Sequence, residues 1–276
     1  MHGISQMKTV LLTTHSCSAK YIAHQLHQNG FLAAVIIENS ISKNKKKMIQ
    51  KIFSSGWLQF PVKLLDFFSV YVYSKLCNRY LSKHLLSINQ IDGFPENTTI
   101  CRVENASGAK CISILKKLEP AILVVLGTSL LSKDVLAIAK EYSLNIHGGI
   151  VPQYRNVHSD FWAFIFRDHD NIGTSIIHLD RGIDTGDVAL QSSIEVDAQD
   201  TIYSIKKKNL ILAGNLVVET ICKAIDGSLP KVPQSNTQKG FYHTPGFADF
   251  FRLLRENFLR KQHSSQKKSS YNPLPR

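Results

Sequence analysis

Two side chains two residues apart, the amide of Asn145 and the imidazole of His147, are placed in this sequence to act on one target. They end the apolar run Leu144–His147. Side chains two apart on a strand share a face, so both groups can aim at the same point. Gly148-Gly149 follows directly and lets a substrate or another chain segment come close. The plainer reading of His147 is a strand-ending histidine satisfied by a carbonyl. Pro152-Gln153-Tyr154-Arg155-Asn156 is a rigid loop carrying a cation, and an aromatic helix comes after it. Asp184, flanked by Gly182 and Gly186, sits in the turn that opens at Asp180. From there a carboxylate can reach a histidine at a neighbouring strand tip.

Other familiar chemistry is absent. The first apolar run is followed by Thr13-Thr14-His15-Ser16-Cys17, not by the glycine-rich turn of a dinucleotide site. The chain has neither a Walker A sequence nor the G-x-S-x-G elbow of a hydrolase. His24 and His27 lie one helical turn apart and could share a metal, but with no third ligand nearby they read as solvent-facing.

Elements must position these groups. Strand-like runs Thr9–Thr14, Phe31–Ile37, Thr98–Val103, Ile122–Leu126 and Leu144–His147 alternate with helix-like Ser18–Gln28, Ser107–Leu118 and Ser132–Tyr142. Apolar strands without polar alternation, separated by helices, predict an α/β fold: a Rossmann-like, mostly parallel sheet covered on both faces. Such sheets bind ligands beyond the C-terminal strand ends. Strands at Gly173–Leu179 and Val188–Val196 follow, then a helix capped by Asp200 and running to about Ile225. The expected organisation is a catalytic domain over residues 1–227 with a helical insertion at about 57–90. Residues 228–276 are expected to form a short, basic, partly disordered extension.

Charge and composition narrow the class. The 276 residues carry 33 basic and 21 acidic side chains, a net charge of +12. Lys43, Lys45, Lys46, Lys47 and Lys51 sit in one acid-free stretch, and the segment Phe251–Arg276 holds seven basic residues against Glu256. These two stretches hold nearly all of the excess, so the body is close to neutral and does not read as a nucleic-acid-binding surface. Five cysteines, odd in number and without a C-x-x-C pair, argue against a disulfide framework or a thiolate metal site. The run Val10–Leu12 is too short for a signal peptide, and Met7 is an alternative start. The apolar stretch Phe60–Tyr73 is too short and too charged to span a bilayer, which takes about 20 residues. A reducing cytoplasm fits. Segment 57–90 reads as helices packed on the sheet or on a second copy in a homodimer. Its alternative, with the lysine run before it (residues 43–90), is an amphipathic helix on a membrane surface.

Several of these motifs together resemble the folate-dependent formyltransferases, a family that includes glycinamide ribonucleotide, methionyl-tRNA and amino-sugar formyltransferases. The family pattern is N-x-H, a P-x-Y-R-G loop, a G-x-T strand and a D-x-G turn. Here it reads Asn145-Ile146-His147, Pro152-Gln153-Tyr154-Arg155-Asn156, Gly173-Thr174-Ser175 and Asp184-Thr185-Gly186. The segment from Pro120 to Leu131 is similar to the family's folate-side strand and loop. The resemblance covers roughly Thr98 to Val196.

It implies transfer of a formyl group from 10-formyltetrahydrofolate to a primary amine, with no metal. Asn145 would hydrogen-bond the oxygen on which charge develops, His147 would add positive charge beside it, and Asp184 would favour the imidazolium and relay a proton. Leu126, Gly127, Thr128, Ser129 and Leu130, with Asp180 and Gly182 in the turn before Asp184, would hold the donor. On the acceptor side the expectation names Arg155 as an anion contact, with an ion pair to a nearby acid as its alternative, together with Tyr154 and His15.

Three departures bear on the acceptor. His15-Ser16-Cys17-Ser18 replaces the glycine-rich phosphate loop of the glycinamide ribonucleotide enzymes. Some fifty residues after Gly227 are too few and too polar for the extra barrel domain of the methionyl-tRNA enzymes. Asn156 replaces the glycine after Tyr154-Arg155, and Asn tolerates a left-handed backbone. The acceptor expected on this basis is a small amine, a nucleotide-activated amino sugar in the first place. A glycinamide ribonucleotide-type formyltransferase, a non-catalytic folate or nucleotide-sugar binding module, and an interaction protein working through residues 60–88 and the tail are the competing readings.

Overall fold

A computed structural model describes residues 8–39, 59–235 and 240–269, with side chains described as far as residue 259. Five short apolar segments form parallel strands: β1 (Thr9–Thr14), β2 (Leu32–Glu38), β3 (Thr99–Val103), β4 (Ile122–Leu126) and β5 (Tyr142–His147). A two-residue strand, β6 (Arg155–Asn156), lies outside that sheet. The sheet continues through β7 (Gly173–His178) and β8 (Val188–Ser193), both antiparallel to their neighbours, in the order β3-β2-β1-β4-β5-β7-β8. The expected mostly parallel sheet is therefore the one that forms.

Alternate residues of the central strands enter two apolar layers. Leu11, Val35, Val124 and Leu144 meet α1 (Cys17–Gln28) and the long C-terminal helix of the sheet domain through Ile22, Leu26, Val217 and Ile221. On the opposite face Val10, Leu12, Ile36 and Leu123 meet Cys111 and Leu115. Two-sided cover explains why these strands lack polar alternation. Each fully buried aliphatic side chain contributes about 1.5–3 kcal/mol.

The insertion contains α2 (Phe60–Leu81), which a π-helical turn at Ser82–Leu86 extends. Leu81, Leu85 and Leu86 pack on the sheet's first layer. The lysine run Lys43–Lys51 and the first residues of the insertion lie outside the described residues, as do residues 1–7. Next along the chain come α3 (Ala109–Leu118), α4 (Lys133–Leu136), α5 (Ser159–Ile165) and α6 (Ile202–Ile225).

Three expectations need correction. The helix over Ser132–Tyr142 is only the single turn of α4. Beyond it, Lys140 and Glu141 donate their N–H groups to the Pro120 and Ala121 carbonyls and draw the chain into β5. Thr201, not Asp200, caps α6, in a reciprocal box with Ser204. Finally, the segment after Gly227 is folded wherever it is described. Val232 bridges Val188, β9 (Phe241–Tyr242) pairs with β6, and α7 (Phe247–Ser269) packs on α2. Its polar composition conceals Tyr242, Phe250 and Leu253, which enter an aromatic cluster with Tyr73, Tyr154 and Phe161.

Candidate active site

The C-terminal ends of β4 and β5 open into a cavity of about 390 Å³. Its wall includes Asn145, His147 and Asp184, three groups from two distant stretches of chain. The Asn145 amide nitrogen donates to Asp184 Oδ1 at 3.0 Å, and His147 Nδ1 lies 3.3 Å from Asp184 Oδ2. His147 is buried, and its Nε2 stands 2.7 Å from the Tyr154 carbonyl oxygen. A carbonyl can only accept, so Nε2 carries a hydrogen. A bare Nδ1 lone pair facing a carboxylate would be repulsive. Both ring nitrogens are thus engaged inside the protein. Asn145 differs: one N–H of its amide goes to Asp184, and Asn145 itself lines the cavity.

The turn that presents Asp184 is tightly held. Asp184 itself adopts φ 53°, and Asp180 accepts from Gly182 N at 2.9 Å and from Thr185 Oγ1. A Cβ on Gly186 would overlap the His178 carbonyl oxygen, so glycine is required there. Asn156, at φ 74°, donates its backbone N–H to Asp184 Oδ2 at 2.9 Å and its side-chain amide to the Tyr242 carbonyl. An Asn in place of Gly thus keeps the left-handed turn and ties it to β9. Gln234 reaches in from beyond Gly227, donating to the Asp184 and Gly186 carbonyls at 3.0 and 2.6 Å. Replacing Gln234 by Ala is expected to lower turnover about tenfold by loosening the Asp184 turn, with the global fold retained; steady-state kinetics alongside a thermal melt would check it.

Leu126, Gly127, Thr128, Ser129, Leu130 and Gly182 line the same cavity. Asp180 does not; it braces the turn from outside. A residue not anticipated, Glu38 at the tip of β2, organises this loop: its buried carboxylate accepts from Ser129 N at 2.8 Å and from Ala106 N at 2.9 Å. An acid ending an otherwise apolar strand was the legible signal. The mixture of apolar walls (Val125, Leu131, Leu179, Ile183) and backbone groups suits a flat heteroaromatic ring, and the volume is in the range of small-molecule sites.

A second cavity of about 120 Å³ shares Leu126, Ile146 and Gly148 with the first. Ser18, Asp160, Lys206 and Asn209 line it. Lys206 Nζ lies 2.7 and 3.1 Å from the two Asp160 oxygens, with the carboxylate almost wholly buried. Burial works against the Lys206 charge, yet the Asp160 carboxylate outweighs it and holds the ammonium above its ordinary pKa. Asn209 accepts from Thr174 Oγ1 at 2.6 Å and faces the Gly148 carbonyl. None of these was anticipated: Asp160 hides among aromatics, and Lys206 heads a three-lysine run that looks like a solvated face.

The residues expected on the acceptor side are elsewhere. His15 is exposed and sits edge-on to Phe94. Tyr154 is buried, stacks on Tyr242 and donates its hydroxyl to Asp168 at 2.9 Å. Arg155 is buried in the β6–β9 ladder with its guanidinium 5.9 Å from the Phe241 ring centre. Neither cavity has any of the three on its wall; for Tyr154 and Arg155 the β6–β9 pairing turns their loop inward. Among the described residues no three His, Cys, Asp or Glu side chains are grouped to hold a metal ion.

Residues 77–221, just over half of the chain, match the sequence profile described as formyl transferase. The methionyl-tRNA formyltransferase of Methylacidiphilum infernorum (isolate V4) is 34% identical over 134 residues, covering 48% of this chain and 42% of that one. The likeness therefore spans less than half of that relative's length. A sugar N-formyltransferase from Shewanella sp FDAARGOS_354 superposes with a TM-score of 0.56 at 13% identity, over 91% of this chain and 88% of that one. WlaRD, a sugar 3N-formyltransferase solved in the presence of dTDP and 5-N-formyl-THF, superposes at 0.51 with 16% identity, over 93% of this chain and 81% of that one. At such identities these two structures show the shared fold.

Proposed function

The chain belongs to the formyl transferase family, and on that premise we propose that it moves a formyl group from 10-formyltetrahydrofolate to the primary amine of a small acceptor, a nucleotide-activated amino sugar. The observation that carries this reading is the convergence of Asn145, His147 and Asp184 on the cavity wall. The second cavity opens from the same strand tip. The larger cavity would take the donor, with the Leu126–Leu130 backbone along its ring edge and Leu179 and Ile183 against its faces. The smaller one, the size of a single ring, would take the part of the acceptor that carries the amine. The donor brings an activated formyl group and departs as tetrahydrofolate.

The chain's own groups do the rest. Asn145 presents its remaining N–H to the oxygen that gains charge when the amine adds to the formyl carbon. A fixed donor at such a point is worth about 3–4 kcal/mol. The His147 imidazolium, with both N–H groups held inside the protein, stabilises that charge through space rather than by a hydrogen bond. The Asp184 carboxylate takes up the proton released by the amine for delivery to the leaving nitrogen. Because Gln234 braces the Asp184 turn, the catalytic unit is proposed to extend past Gly227. Free cysteines throughout suit a reducing cytoplasm.

Incubation with 10-formyltetrahydrofolate and a panel of nucleotide-linked amino sugars, glycinamide ribonucleotide and methionyl-tRNA tests this directly. Tetrahydrofolate is expected to form with an amino sugar. Formation with methionyl-tRNA alone would overturn the acceptor class. Folate binding without turnover on any amine would make the protein a binding module.

A further inference from the structure

The outward faces of α2 and α7 carry more exposed apolar side chains than a solvated surface needs. On α2 these are Leu65, Phe68 and Tyr71, one helical turn apart; on α7 they are Phe251, Leu254 and Phe258. Phe68 and the three on α7 are each about 60% exposed. The helices are neighbours: α7 starts where Phe247 N donates to Asp66 of α2 at 2.6 Å, and Tyr73 meets Phe250. Both bury their opposite faces in one aromatic cluster through Tyr73, Cys77, Phe250 and Leu253. Their apolar outer faces therefore point away from the same core. Apolar surface collected in this way marks an interaction site.

The charges beside it say what it meets. Lys75, Arg79, Arg252 and Arg255 are exposed around these apolar residues. Of the acids of both helices in the described residues, Asp66 accepts from Phe247 N, Asp249 from Gly246 N and also from Arg252 Nη1 at 3.5 Å, and buried Glu256 pairs with Arg167 at 2.7 Å. The lysine run Lys43–Lys51 precedes α2 in sequence, and four further Lys and Arg follow within Arg260–Lys268. Aromatic and aliphatic side chains set among cations complement an anionic bilayer, with rings entering the headgroup region and cations meeting phosphates. A second copy would fit poorly, since a two-fold contact sets the same cations against each other. No helix among the described residues is long and apolar enough to cross a membrane, so the contact is with its surface.

We propose that the α2–α7 face docks on the surface of an anionic lipid bilayer, independently of the formyl-transfer reading. The full chain is mixed with vesicles of phosphatidylcholine alone or with about 30% phosphatidylglycerol and sedimented. Binding is expected only with the anionic vesicles, weakening as NaCl rises from about 0.05 to about 0.5 M. The triple variant Phe68→Ser, Phe251→Ser, Phe258→Ser keeps every cation and is expected to lose at least about tenfold in binding with an unchanged circular dichroism spectrum. Should it fail to fold, the exposed pair Arg252→Glu, Arg255→Glu is read instead, with the same loss expected. No binding to either vesicle, or binding that the folded variant retains, overturns the proposal. So does a wild-type dimer that the same substitutions dissociate, because the occupant would then be a second copy.

Discussion

Replacing Asp184 by Asn is expected to cut turnover at least about a hundredfold while the protein still folds. The carboxylate accepts from Asn145, from the Asn156 backbone and faces His147 Nδ1, all within 3.3 Å. An amide of the same shape can accept on one side only. It removes the negative charge beside His147 Nδ1, and it disturbs the aim of Asn145. His147→Ala is expected to cost as much, and the double variant no more than the worse single, because the two groups act as one unit. Single-turnover rates with a thermal melt for each variant would check this. A loss under about tenfold for Asp184→Asn would mean that the charge contributes little.

Lys206→Met has the largest expected effect on stability. It strands the buried Asp160 carboxylate, and removing one partner of such a pair costs about 3–5 kcal/mol. The double variant Lys206→Met, Asp160→Leu removes both charges and is expected to recover most of that loss. If the pair grips the acceptor, the double variant will still show an acceptor KM raised at least about tenfold, with the donor KM unchanged. Recovery of both would make the pair structural only. The sign with pH follows from the raised Lys206 pKa. Its stabilising contribution is complete below the ordinary value of 10.5 and is lost as pH climbs through the higher folded value. The wild type should therefore weaken under alkaline conditions more than the double variant does, which melts recorded across that range would show.

Much of this protein is written in local pattern. Apolar runs that need cover on both faces announce β1, β4 and β5. The two-residue spacing of Asn145 and His147 places both on one strand tip, and glycines around Asp184 announce a tight turn. Such features depend on neighbours a few residues away, so they survive in a linear reading. The acceptor side does not. Tyr154 and Arg155 look available until β9, almost ninety residues later, pairs with their loop and turns them inward. Gln234 looks like part of a polar tail until it meets the Asp184 turn, and Lys206 looks solvated until α5 brings Asp160 beneath it. Sequence alone determined the sheet, the strand tip and the three groups with chemistry to offer. Tertiary structure decided which cations face a cavity and which lie under a strand, because burial and charge pairing are set by segments far apart in the chain.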